Sequence, residues 1–168
     1  MKFIVTKELG RLARWLRIIG FDTVYYDKAG KGTLIIEALR DDRMIVTRTK
    51  EKIDGLQKKI VIVTHDAVKE QLKEVIEKTK LTIEEEKMFS RCTLCNCRLV
   101  EANKEEIKAL IPERVYIQQT VFKKCLACGK VYWQGSHLDK VIKVVKEMTQ
   151  IITDTKQMIA DKNIIGIQ

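Results

Sequence analysis

Proline occurs once in this 168-residue chain, histidine twice, and aromatic residues make up only 6% of it. One proline and eight glycines exclude a proline- or glycine-rich linker, and no low-complexity segment or internal repeat is apparent. No apolar run approaches the roughly 20 residues that a membrane-spanning helix needs, which argues against a membrane partner. The N-terminus has no secretory pattern, because Met1-Lys-Phe-Ile-Val5 leads straight into charged residues. Acidic residues are in deficit: 23 Asp and Glu stand against 32 Lys and Arg, a net charge of +9. Such a balance favours a polyanionic partner, most often nucleic acid, through phosphate contact and counterion release. With 45% hydrophobic and 33% charged residues the composition is that of a folded domain, with room for a small second module.

Cysteine is present in an informative pattern. Cys92-Thr-Leu-Cys95 and Cys125-Leu-Ala-Cys128 are two Cys-x-x-Cys couplets about thirty residues apart. Four thiolates so arranged suit one tetrahedral Zn²⁺, and a closed four-sulfur site is structural rather than catalytic. A redox-active couplet would need one pair and leave the other unexplained. Cys97 is left over as a small buried or half-exposed residue outside the ligand set. Cysteines in metal-type spacing point to a reducing, cytoplasmic setting.

The first ninety residues alternate between two periods. Strand-like runs fall at Lys2–Val5, Thr23–Tyr26, Met44–Thr47 and Ile60–Thr64, with helical spacing over Leu9–Ile19, Thr33–Leu39 and Ala67–Lys78. That rhythm predicts an α/β fold, a parallel sheet flanked by helices. Lys50–Lys59 reads as a brief helix or loop, and Asn103–Pro112 as a short helix ended by its proline. In the first helix, Leu9, Leu12, Ala13, Leu16 and Ile19 share a face, while Arg11, Arg14 and Trp15 lie opposite. Those three are either a solvated back or a phosphate-facing surface. From Leu138 to Ile159 apolar residues step by three and four, predicting a long C-terminal helix that packs on its own chain or offers a face for a protein partner or self-association.

Specific strings add a resemblance. Phe3-Ile-Val-Thr-Lys-Glu-Leu-Gly-Arg-Leu-Ala-Arg-Trp-Leu-Arg-Ile-Ile-Gly-Phe-Asp22, Arg43-Met-Ile-Val-Thr-Arg48, Gln71-Leu72, Phe89-Ser-Arg-Cys92 and the run from Cys128 through Tyr132-Trp-Gln-Gly-Ser-His137 resemble the Mut-seven C-terminal RNase domain family, a PIN-like group. The resemblance covers roughly Met1 to Asp139. It implies a PIN-like domain over 1–87, a zinc ribbon over 88–137 and, outside the resemblance, a C-terminal helix and tail over 138–168. It also implies RNA cleavage with Mg²⁺ or Mn²⁺ held by clustered carboxylates, since hard ions take oxygen ligands and activate a water.

At the positions where that family carries acids, this chain departs from it. The first strand ends in Thr6, the third strand is followed by Arg48-Thr49, and the second helix opens at Gly30-Lys31. Lys7, Lys31, Arg48 and Lys50 adjoin these sites, so a cleft built there is positive. Asp27, Asp66 and Glu37 remain as candidate catalytic acids in their place. Alternatively, Asp27 starts a turn and Asp66 caps the helix that follows. His65 reads as a hydrogen-bonded surface residue.

The expectation is an RNA-binding protein with a degenerate nuclease site, contacting phosphates through Lys7, Arg11, Arg14, Arg48 and Lys50. Lys123, Lys124, Lys130, Tyr132, Trp133 and His137 would extend that surface, Trp133 by stacking on a base or else by covering the ribbon core. The alternatives are an active ribonuclease using Asp27, Asp66 and Glu37, and a scaffold acting through the C-terminal helix.

Overall fold

A run of β-branched residues bounded by charge makes Lys2–Thr6 (β1) a central strand, and Phe3, Ile4 and Val5 are all fully buried. The computed structural model describes residues 1–28, 30–50, 56–133, 135, 141–148 and 150. Beside β1 lie Asp22–Tyr26 (β2) on one side and Met44–Thr47 (β3) on the other, with Ile60–Ile62 (β4) beyond, giving a parallel sheet of order β2-β1-β3-β4. Parallel strands need crossovers, and helices Gly10–Ile18 (α1), Lys31–Arg40 (α2) and Val68–Thr79 (α3) accompany the sheet. The expected α/β architecture is what the chain adopts.

Alternation along β1 sends Ile4 to one face, where it packs with Tyr26, Leu34, Ala38 and Ile45 beneath α2. Phe3 and Val5 belong to the opposite face, and the Phe3 ring meets Phe21 edge-on at 5.8 Å. From α1 come Leu12, Ala13 and Leu16, from α3 Leu72 and Val75, all essentially without exposure. Each large side chain so buried contributes about 1.5–3 kcal/mol.

The order of the strands matters for function. Chain direction across the sheet reverses between β1 and β3, and the carboxyl ends of strands at such a reversal form a natural ligand crevice. Buried Arg43 ties the opposite, amino-terminal end, donating to the Phe3 carbonyl at 3.3 Å and to Asp22 Oδ1 at 2.6 Å.

The chain divides into two compact units: Met1–Ala102 with Lys123–Val131, and Asn103–Phe122 with Tyr132–Gln168. Short strands Leu99–Glu101 (β5), Phe122–Cys125 (β6) and Val131–Trp133 (β7) form a second sheet, in which Leu99 pairs antiparallel with Cys125. Pro112 does not end a helix as expected. It precedes Glu113–Gln118 (α4), where a missing N–H costs nothing, and only a 3-10 turn at Lys108–Leu110 comes before it. The stretch expected as helix or loop over Lys50–Lys59 ends in a 3-10 turn, Gln57–Lys59; residues 51–55 lie outside the described residues. Residues 141–148 and Gln150 are helical, with Val145 buried, and the rest of the expected C-terminal helix lies outside the described residues.

Candidate functional site

Two sites emerge in the first unit. The cysteine knuckles are built alike. Asn96 N–H donates to the Cys92 carbonyl at 3.0 Å and Gly129 N–H to the Cys125 carbonyl at 2.8 Å. Cys92 N–H in turn donates to the Cys97 carbonyl, and Cys125 N–H to that of Lys130. Each turn needs a left-handed residue after its second cysteine, supplied by Asn96 (φ 69°) and Gly129 (φ 74°). The four sulfurs lie within 4.8 Å of one another, with Cys92–Cys128 at 3.5 Å and Cys95–Cys125 at 3.3 Å. Sulfurs on a tetrahedral Zn²⁺, at about 2.3 Å from the ion, stand about 3.8 Å apart, so this donor set could hold a metal ion such as zinc. Cys97 is exposed and outside the group.

One knuckle is fastened to the large sheet. Arg17, buried on α1, donates to the carbonyls of Thr93 at 2.9 Å and Leu94 at 2.7 Å, and through Nε to that of Thr23 at 2.9 Å. Burial lowers the Arg17 pKa, and nearby Cys92 and Cys95 counter that effect. The Asn96 amide bridges to β2, accepting from Thr23 N–H and donating to Asp22 Oδ1. Arg91 also approaches Asp22, at 3.4 Å. Burial alone would raise the Asp22 pKa; hydrogen bonds from Arg43 and Asn96 reverse this and hold it below the usual range.

The second site is a cavity of about 450 Å³ where β1 and β3 end. Thr6, Thr49 and Lys31 all line it, so the three positions expected to carry acids do converge. Lys7 and Lys28 join them, over a floor of Tyr26, Leu34, Ile45 and Ile60. Among the described residues the cavity's one carboxylate is Glu8, to which the sequence pattern gave no role. A 3-10 turn at Lys7–Leu9 folds Glu8 back over the strand ends. There its Oε1 accepts from Thr6 Oγ1 at 2.5 Å, Thr47 Oγ1 at 3.3 Å and Arg48 N–H at 3.2 Å. Burial tends to raise the Glu8 pKa, but these bonds outweigh it and keep the carboxyl below its ordinary value.

The other candidate acids stand apart from the cavity lining. Glu37 pairs with Lys28 at 2.7 Å. Asp66 is exposed and pairs with Arg48 at 2.7 Å; it makes no side-chain cap on α3. Asp27 is exposed after β2. Among the described residues the four cysteines are the only group of three or more His, Cys, Asp or Glu close enough to share an ion. Arg11, Arg14, Arg48 and Lys50 are exposed, as are Lys130 and Trp133, the latter by 38%; His137 lies outside the described residues.

A further acid shapes the end of β4. Buried Glu74 accepts from Thr64 N–H, His65 N–H, His65 Nδ1 at 2.5 Å and Lys78 at 2.6 Å. Burial acts to raise its pKa, yet bonds from Lys78, His65 and Thr64 hold it far below the carboxylate range. Helical spacing, which sets Glu74 among Gln71, Leu72 and Val75, was the signal for it.

In comparisons with known proteins, the family model described as Mut7-C RNAse domain matches residues 1–145. No curated protein and no solved structure matches the chain. Among the described residues, no helix is long and apolar enough to cross a membrane.

Proposed function

The chain belongs to the Mut7-C RNAse domain family, and from that premise we propose that it binds RNA through a cationic cleft whose nuclease chemistry has been lost. The observation that carries this reading is the lining of the cavity. Threonines and a lysine occupy the three converging positions, Thr6, Thr49 and Lys31, and Lys7 and Lys28 add positive charge. Against these cations the described lining sets a single carboxylate, Glu8, so a divalent ion there, with one anionic ligand among three lysines, is disfavoured by several kcal/mol at protein-like dielectric. Phosphates, by contrast, are attracted directly. Glu37 and Asp66, the acids best placed to compensate, are each paired with a cation.

In this reading the four cysteines hold a structural Zn²⁺, which fixes the knuckle rather than reacting. The cluster's chemistry supports it: soft thiolates, closed geometry and no position left for water. Exposed Arg11, Arg14 and Lys50 extend the phosphate-binding surface, and Trp133 offers a ring on which a base can stack.

Fluorescence anisotropy with a structured RNA, in chelator that leaves protein-bound zinc in place, tests the binding. Micromolar or tighter binding that weakens steeply with salt is expected. Binding that requires added Mg²⁺ or Mn²⁺ would overturn the reading, because it would mean that the cleft holds phosphate through a metal.

A further inference from the structure

The lining of the β1/β3 cavity has two parts of different chemistry. One part is polar: lysines, threonine hydroxyls and Glu8, which the backbone amide of Arg48 holds from outside the lining; the other is apolar, with Tyr26, Leu34, Ile45 and Ile60. A phosphate site alone would not need the apolar floor, and an apolar pocket alone would not need three lysines. The volume, about 450 Å³, is that of a small-molecule site, within the usual range of roughly 300–1,000 Å³. Tyr26 is fixed by a 3.0 Å hydrogen bond from its hydroxyl to the Gly30 carbonyl, so its ring is a rigid wall.

The groups around Glu8 identify the ligand's charge. A backbone N–H can only donate, and both threonine hydroxyls donate to the same carboxylate oxygen. Three donors already converge on one anionic oxygen, and an incoming oxyanion of similar geometry can take the same three bonds. Glu8 is exposed and reaches these donors from a short 3-10 turn, so a stronger anion can displace it without unfolding anything. The cavity also opens at the start of α2, whose first turn has no side-chain cap and presents the positive end of the helix dipole.

We propose that this cavity takes one nucleoside monophosphate unit, the phosphorylated end of an RNA, whose phosphate replaces the Glu8 carboxylate on Thr6, Thr47 and Arg48 while its base lies on the apolar floor. This deepens the RNA-binding reading and rests on it. Glu8 acts as an internal counter-anion: it keeps the donors satisfied in the free protein and raises the threshold for an incoming phosphate. The cavity therefore selects a terminal phosphate, with two negative charges, over the single charge of an internal diester.

Isothermal titration of the full chain with adenosine 5′-monophosphate, adenosine and inorganic phosphate tests this, with RNA affinity measured on the same preparations. The monophosphate should bind at least tenfold tighter than either fragment. Glu8→Gln should tighten it a further three- to tenfold, and Lys31→Glu should weaken it about tenfold. Monophosphate binding no tighter than adenosine, or weakened by Glu8→Gln, overturns the proposal. RNA binding that persists without any mononucleotide binding refutes the pocket while leaving the RNA reading standing; loss of both refutes the two together.

Discussion

The Arg17 guanidinium, on a helix of the large sheet, donates to the Leu94 carbonyl at 2.7 Å, inside the first cysteine knuckle. A second bond to Thr93 and a third to Thr23 make this arginine the common anchor of α1, β2 and the knuckle. One buried cation therefore links the four-cysteine cluster to the large sheet, and a metal ion held by those cysteines would be coupled to the sheet's stability.

Arg17→Leu leaves three carbonyls without their donor and should destabilise the protein by about 2–3 kcal/mol, the cost of losing charge-assisted hydrogen bonds at a buried site. Arg17→Lys should recover only part of this, since one ammonium cannot reproduce the planar fork. Urea denaturation of both variants, with metal content measured in parallel, checks the ranking.

Replacing a ligand should be felt beyond the knuckle. Cys92→Ser is expected to release the metal ion and to raise amide exchange across Arg91–Arg98 and along Asp22–Tyr26, because Asn96 and Arg17 bridge the two. Hydrogen exchange confined to the knuckle, with β2 still protected, would break the proposed coupling.

Gly20→Ala should cost about 1–3 kcal/mol by thermal melting. Gly20 sits at φ +96°, and a Cβ there would meet the Lys87 carbonyl oxygen at 2.3 Å. That close approach lets Phe89 N–H reach the Ile18 carbonyl at 2.8 Å, where the chain enters the cysteine segment.

Glu74 provides a pH signature. Its folded pKa is depressed, so its contribution is fully present above the unfolded value, about 4.3, and is lost as pH falls towards the folded one. Glu74→Gln should be less stable by about 2–3 kcal/mol at pH 7, with the gap narrowing below about pH 4. Chemical denaturation at pH 7 and pH 3 measures both.

Local pattern revealed the strands and helices of the sheet, because β1 to β4 are short β-branched runs and α1 carries a clean apolar stripe. The knuckles were legible because ligand spacing is itself local. Arg17 was not singled out, since its carbonyl partners lie 76 and 77 residues away. Its position four residues after Ala13, on the buried face of α1, was the available clue. Glu8 escaped notice for the opposite reason: a tight turn directly after β1 reverses its direction, which strand alternation does not anticipate. Pro112 was read as a stop, although proline is equally at home where a helix begins. Thr6, Lys31 and Thr49 were marked by the resemblance rather than by period or spacing, and all three are in the cavity lining; strand-end logic alone pointed to Asp27, His65 and Asp66, which are not.

The most direct test of the central claim restores what the cleft lacks. Wild type and the triple variant Thr6→Asp, Lys31→Asp, Thr49→Asp would be incubated in single-turnover excess with end-labelled structured RNA, with Mn²⁺ or with chelator. The account predicts that wild type binds in both conditions and yields no Mn²⁺-dependent products, while the triple variant, once shown to be folded, cleaves only with Mn²⁺. Mn²⁺-dependent cleavage by wild type, abolished by Asp27→Asn, Glu37→Gln or Asp66→Asn, would contradict it and locate a working metal site among those acids.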